Sequence, residues 1–299
     1  MNLRKFTAAA GLAVLALLAS ACGKEGTPGT PAGGSGEKLT YQVAQNVDVA
    51  GSPTFQKMKQ RGKVIIGVKD DQPNLGFKDV TTGKYEGFDV EIAKMIAAGL
   101  GFREDQIEFK TVPSPNREIA IQNGDIDYYV GTYSITDKRK QMVSFAGPYF
   151  ITGQGLLVRK GETSINGPQD LAGKKVCSVQ GSTPLQNIEK VAPQAQRVPL
   201  EKYSLCVEQL LQNQVDAVTT DEAILKGYAA QQPDKLKLVG EKFSTEKYGV
   251  GLPKDDKALR DKINDILEAA AKDGTWKKIY DATLGKSGTQ DTPPPLERY

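Results

Sequence analysis

An α/β fold of two similar units, each a mostly parallel sheet flanked by helices, is the architecture this sequence predicts. Three observations carry that expectation: two short segments recur in the same order, β-rich runs alternate with helical ones, and the helical runs show a single apolar face. The first recurring pair is Gly62-Lys63-Val64-Ile65-Ile66-Gly67-Val68 and Gly173-Lys174-Lys175-Val176-Cys177-Ser178-Val179. The second is Gln122-Asn123-Gly124-Asp125-Ile126-Asp127-Tyr128-Tyr129-Val130-Gly131-Thr132 and Gln212-Asn213-Gln214-Val215-Asp216-Ala217-Val218-Thr219-Thr220-Asp221. In each copy a helix ends at Gln-Asn, a turn follows, and a strand begins near Asp127 or Asp216. The partners lie about 110 and 90 residues apart. Strands alternating with helices imply parallel pairing.

The N-terminus carries Arg4 and Lys5, then an apolar and small run from Phe6 to Ala21. These are the charged and apolar regions of a signal peptide, expected over residues 1–21. The run is shorter than the roughly 20 apolar residues of a membrane-spanning helix. It closes on Leu18-Ala19-Ser20-Ala21-Cys22, which resembles a lipobox, so lipid attachment to Cys22 is expected. An ordinary signal peptide cut after Ala21 is the alternative. Residues 22–58 read as a flexible tether, rich in Gly, Pro, Ser and Thr, and a leading helix. Ser52-Pro53 opens that helix as N-cap and first helical residue.

Farther along, Val90, Ala93, Ile96, Ala97 and Leu100 form one apolar helical face that stops at Gly101. Leu259, Ile263, Ile266, Leu267 and Ala270 form another before Gly274, and Trp276, Ile279 and Tyr280 a short third. Residues 286–299, with Pro293-Pro294-Pro295, read as a disordered tail.

Composition removes several functions. The chain has no His, which excludes Ser-His-Asp and Cys-His catalysis and His-bearing zinc sites. Without Arg4 and Lys5, 37 basic residues face 36 acidic ones, so no nucleic-acid footprint is visible. Besides Cys22 there are only Cys177 and Cys206, which permit one bridge in an exported chain. Two buried free thiols are the alternative. The 28 residues between them give a bridge worth about 3–4 kcal/mol by chain entropy.

In open α/β sheets ligands sit at the carboxyl ends of strands. After Val68 come Lys69, Asp70, Asp71 and Gln72; after Val130 come Gly131, Thr132, Tyr133 and Ser134; after Val179 come Gln180, Gly181, Ser182 and Thr183; after Val218 come Thr219, Thr220 and Asp221. These ends carry hydrogen-bonding groups rather than a nucleophile with its base. Gly181-Ser182-Thr183-Pro184 reads as a helix start capped by Thr183, whose free N–H groups suit an anion or simply begin a helix. Ser134–Arg139 is a second helix start, and Arg139 there is either a carboxylate fork or a surface arginine.

Gly87-Phe88-Asp89-Val90, Asn123–Asp127, Ser134–Arg139 and Phe145–Tyr149 together resemble the polar amino-acid branch of bacterial extracellular solute-binding protein family 3. The similarity runs from about Gly62 to Gly285. Gly67–Pro73 and Asn116-Arg117 look closest to the glutamate-binding lipoproteins of actinobacterial ABC importers. The resemblance implies a two-lobed, periplasmic-binding-protein-like fold of type II with a hinged cleft. Lobe 1 would be 59–149 plus 249–285 and lobe 2 150–248, with crossings near Tyr149–Gly153 and Ser244–Tyr248. It implies that Arg139, Ser134, Ser182 and Thr183 hold an α-carboxylate, that Thr132 and Asp221 hold the α-ammonium, and that Arg117 contacts an acidic side chain, with Lys69 adding charge nearby. Asp70, Gln72 and Tyr133 complete the expected ligand set.

L-glutamate, or aspartate, is the expected ligand. Glutamine or another polar amino acid is the alternative, and cationic ligands are disfavoured because Arg117 repels them. The resemblance further implies an ABC permease and ATPase as partners, a lipid anchor on the outer face of the cell membrane, a monomer, no cofactor, no metal and no catalysis. An exported enzyme on the same scaffold is the rival of another class, with Glu118 or Glu222 as its acid or base.

Overall fold

A computed structural model describes residues 39–299. The expected signal peptide, the Cys22 lipid site and most of the tether lie outside the described residues. In chain order the strands are β1 Val64–Val68, β2 Asp71–Gln72, β3 Gly76–Lys78, β4 Tyr85–Glu86, β5 Ile107–Thr111, β6 Tyr128–Tyr129 and β7 Ser144–Thr152. They continue as β8 Gln154–Arg159, β9 Lys175–Val179, β10 Gln196–Leu200, β11 Ala217–Asp221, β12 Leu236–Val239 and β13 Glu246–Leu252. The helices are α1 Pro53–Arg61, α2 Phe88–Gly99, α3 Arg117–Gln122, α4 Asp137–Lys140 and α5 Thr183–Val191. Then follow α6 Tyr203–Leu211, α7 Glu222–Gln231, α8 Lys257–Lys272 and α9 Thr275–Ala282. No helix of the described residues is long and apolar enough to cross a membrane.

The fold is the expected two-lobed one. Lobe 1 holds a sheet ordered β5-β1-β6-β13-β7, and lobe 2 one ordered β10-β9-β11-β8-β12. In both, the first three strands pair in parallel. The fourth then runs antiparallel to its neighbours. Each sheet is therefore mixed rather than wholly parallel.

The internal repeat has a structural counterpart in detail. Asp127 Oδ2 accepts the Ile65 N–H at 2.7 Å in lobe 1, and Asp216 Oδ2 accepts the Lys175 N–H at 2.8 Å in lobe 2. Each aspartate ties the start of its strand, β6 or β11, to the start of the neighbouring parallel strand, β1 or β9.

The anticipated helices form where their apolar faces can be buried. α2 buries Ala93, Ile96 and Ala97, and α8 buries Leu259, Ile263, Leu267 and Ala270 against the same core. Trp276 of α9 packs edge-on to Phe88, and its indole N–H donates to the Tyr149 carbonyl at 2.7 Å. Ser52 caps α1 through the Phe55 N–H at 3.0 Å.

Two strands join the lobes. β7 and β13 remain paired as far as Thr152 and Glu246. Cys177 on β9 and Cys206 on α6 form a disulfide, which pins that helix to its sheet.

The C-terminal segment departs from expectation. Instead of a disordered tail, residues 297–299 lie against lobe 1. The Glu297 N–H donates to the Gly147 carbonyl at 2.9 Å, and the Tyr299 hydroxyl accepts the Phe145 N–H at 2.8 Å. The Tyr299 ring lies 4.1 Å from the Arg260 guanidinium and 4.6 Å from Lys140 Nζ. Pro293–Pro295 precludes regular structure, but the residues after it carry an aromatic and charges with partners to meet.

Candidate functional site

Strand ends and helix starts from both lobes converge on one small cavity. It is lined by Arg117, Thr132, Arg139, Ser182, Thr183 and Asp221 of the expected set, and by Ser114, Pro184, Tyr203 and Ile224. A larger hollow lies behind the hinge among Phe150–Thr152, α7 and the C-terminal segment. It holds none of the expected residues and no convergence of buried charge, and another hollow beside α4 reaches only Arg139 and Thr183 of them, so the smaller cavity is the candidate site.

Two arginines dominate it. Arg117 opens α3 and is 2% exposed; Arg139 sits in α4 and is 5% exposed. Both guanidiniums lie over the Tyr133 ring, at 4.4 and 4.9 Å, so the tyrosine is a platform beneath them rather than a lining group. Their hydrogen bonds fix their aim. Arg117 Nε donates to the Ser114 carbonyl at 3.1 Å, and Arg139 Nη1 to the Ser134 carbonyl at 2.7 Å. Each then donates an Nη2 proton across the cleft to the same Gly181 carbonyl, at 3.3 and 2.9 Å.

Gly181 has φ +76°, and a Cβ there would lie 2.9 Å from Pro115 Cα. Only glycine lets the lobes approach so closely here. Arg139 also pairs with Glu118 at 3.3 Å. Among the described residues, no carboxylate forms an ion pair with Arg117 or with buried Lys69. Lys69 Nζ donates instead to Ser114 Oγ at 2.7 Å. Burial first, and the Arg117 charge second, pull the Lys69 ammonium down to about 7 and the Arg139 guanidinium to about 10.

Opposite the arginines stands Asp221, the last residue of β11. Its Oδ2 accepts the Tyr248 hydroxyl at 2.6 Å, while its buried Oδ1 has no partner. Burial, then nearby Glu246, pushes this carboxyl up to about 7. An unpaired buried carboxylate oxygen is costly and invites a cationic donor.

Thr132, its counterpart in the repeat, adopts φ +47°, a strained setting for a β-branched residue. Its N–H donates to Asp89 Oδ2 at 2.9 Å and its hydroxyl to Gln72 Oε1 at 3.1 Å. Gln72 therefore holds Thr132 rather than lining the cavity, and the Thr132 N–H is already committed.

Two further expectations are corrected. Asp70 is not in the cavity: it pairs with Lys202 at 2.8 Å at the cleft edge, where that cation is the nearest countercharge. The α5 cap is Ser182, not Thr183: Ser182 Oγ accepts the Leu185 N–H at 3.1 Å. That leaves the Thr183 hydroxyl to donate to Glu246 Oε2 at 2.8 Å, with Ser134 Oγ 3.4 Å away. Sequence reasoning missed Ser114, Tyr203, Ile224 and the Glu246–Tyr248 pair around Asp221. Tyr203 follows β10, so the strand-end rule finds it once β10 is recognised, while Ile224 lies one turn into the helix after β11. No cluster of His, Cys, Asp and Glu among the described residues is placed to hold a metal.

Two α/β lobes hinged by paired strands, with buried charges from both facing one cavity, define a cleft-type solute receptor. The model of the bacterial extracellular solute-binding proteins, family 3, matches residues 64–286, and the chain belongs to that family. It is 40% identical over 249 residues to the glutamate-binding protein GluB of Corynebacterium glutamicum, covering 80% of this chain and 84% of that one. It is 44% identical over 209 residues to the glutamine-binding protein of Geobacillus stearothermophilus, covering 70% and 79%. Among solved structures, an ancestral arginine-binding protein with glutamine bound superposes with a TM-score of 0.71 at 40% identity, covering 75% of this chain and 99% of that one.

Proposed function

We propose that this protein is the amino-acid receptor of an ABC importer and that its ligand is L-glutamate. One observation carries the ligand choice: Arg117 is a buried cation in the cavity without a carboxylate partner, beside an Arg139 that already suffices for one carboxylate. A ligand with two carboxylates and one ammonium balances this site, with the α-carboxylate on Arg139 and the start of α5, the ammonium on Asp221 Oδ1, and the side-chain carboxylate toward Arg117. Desolvating an unpaired charge costs several kcal/mol, so each ligand charge needs a fixed partner.

In this reading the lobe limits are 59–149 plus 249–285 and 150–248, and contacts to both lobes favour the closed form. Lipidation at Cys22 would tether the receptor to the outer face of the membrane, beside its permease. Kinship with the glutamate-binding and glutamine-binding relatives supports the class.

Calorimetry of the mature protein against the common amino acids tests the choice. Glutamate is expected to bind tightest; tightest binding of arginine or lysine overturns it. Glutamine is the second reading, favoured by the 44% identity to a glutamine-binding relative. An enzyme on this scaffold would need a placed acid–base pair, and Glu118 is instead engaged with Arg139.

A further inference from the structure

α6 begins at Tyr203 without a capping bond from its own N-cap side chain, Lys202. The cap comes from the other lobe: Asp71 Oδ2, on β2, accepts the Ser204 N–H at 3.1 Å. Beside it, Lys202 Nζ donates to Asp70 at 2.8 Å, and the Tyr228 hydroxyl donates to the Asp71 carbonyl. A Cβ at neighbouring Gly227 would lie 2.5 Å from the Pro73 carbonyl, so the lobes meet here with no side chain between. None of Asp70, Asp71, Lys202, Ser204 and Tyr228 lines the cavity. On the lobe 2 side, the Cys177–Cys206 disulfide ties α6 to β9, the strand that leads into Gly181 and Ser182.

We propose that Asp71, assisted by Asp70, is a positioning latch. It supplies the N-cap of α6 only when the lobes are closed, and so sets the affinity for every ligand without touching any. Opening leaves the first N–H groups of α6 to water and the Asp71 carboxylate without its donor. Closure regains both, and a ligand that needs the closed form inherits the gain. The consequence differs from that of a ligand contact, because a latch changes all affinities by one factor and leaves their ratios alone.

The latch rests on the chain being an amino-acid receptor but not on glutamate being the ligand. The test therefore uses both L-glutamate and L-glutamine. Calorimetry is run on wild type, Asp71→Ala, Asp71→Asn and Tyr228→Phe, with small-angle scattering of the ligand-free proteins. Asp71→Ala is expected to weaken both ligands by the same factor, about fivefold, the size of a lost N-cap. Its ligand-free radius of gyration rises. Asp71→Asn, whose amide oxygen can still cap, keeps most of the affinity, and Tyr228→Phe weakens both ligands equally by about two- to threefold. A change in the glutamate-to-glutamine ratio overturns the proposal by making Asp71 a ligand contact. Affinities within experimental error of wild type for both Asp71→Ala and Tyr228→Phe overturn it as well. If only glutamine binds, the glutamate assignment fails while the latch is still tested by glutamine.

Discussion

Arg117→Ala separates the two ligands that the site favours. Three properties of the side chain bear on the outcome. It stacks on Tyr133 at 4.4 Å, it donates to the Gly181 carbonyl at 3.3 Å across the cleft, and it offers an otherwise unpaired charge to the cavity. The stacking lies within lobe 1 and is lost equally from open and closed forms, so it lowers stability rather than affinity. The bond to Gly181 crosses the cleft. Its loss costs any ligand about 1 kcal/mol, roughly fivefold in Kd. The charge is different: removing one partner of a buried ion pair costs about 3–5 kcal/mol. Glutamate pays both losses and glutamine only the first. The glutamate-to-glutamine selectivity should therefore fall by about 3 kcal/mol, on the order of 150-fold. Titration calorimetry of wild type and variant with both amino acids, on protein shown folded by circular dichroism, reads this directly. An equal loss for the two ligands refutes the role of Arg117 in specificity.

Two further outcomes follow from the charges and contacts. The Asp221 carboxyl titrates near 7 in the folded protein against an ordinary 3.8, so the folded chain holds a proton that the unfolded one has released between those values. Its contribution therefore makes stability fall as pH rises through that window. An ammonium bound to Asp221 reverses the preference, so binding should release close to one proton at pH 6 and weaken about tenfold per unit below pH 7. Calorimetry in buffers of different ionisation enthalpy measures that release, which Asp221→Asn should abolish. Tyr299→Ala removes one hydrogen bond and two cation–ring contacts. It should cost about 1–2 kcal/mol and lower Tm by roughly 2–4 °C, with ligand affinity unchanged; an unaltered Tm would mean that the segment is not held in solution.

Local pattern reveals a large part of this molecule. α2, α8 and α9 appear in the spacing of their apolar residues because burying one face is what makes those helices form. The repeat was visible because Asp127 and Asp216 perform one task, holding the amide at the start of a neighbouring strand, and the task admits few residue types. β10 escaped notice: Gln196–Leu200 is a half-exposed edge strand containing Arg197 and Pro199, with neither alternation nor an apolar run. Missing it hid Tyr203. The docking of the C-terminal segment is hidden from local pattern for a related reason. Pro293–Pro295 marks the absence of regular structure, while docking depends on Phe145, Gly147 and Arg260, which are far away in sequence.

The sequence alone determined the kind of protein this is: an α/β repeat with polar, hydroxyl-rich strand ends, no histidine, and the ordered motifs of one family. Those properties are local, carried by residues a few positions apart. Tertiary structure decided which strand-end residues face the cavity and which hold other residues in place. Gln72 and Tyr133 became supports, Asp70 moved to the cleft edge with Asp71, and Arg117 emerged as a buried cation without a carboxylate. Burial and pairing depend on groups brought together from distant parts of the chain, and the cost of desolvating a charge exists only once the lobes surround it.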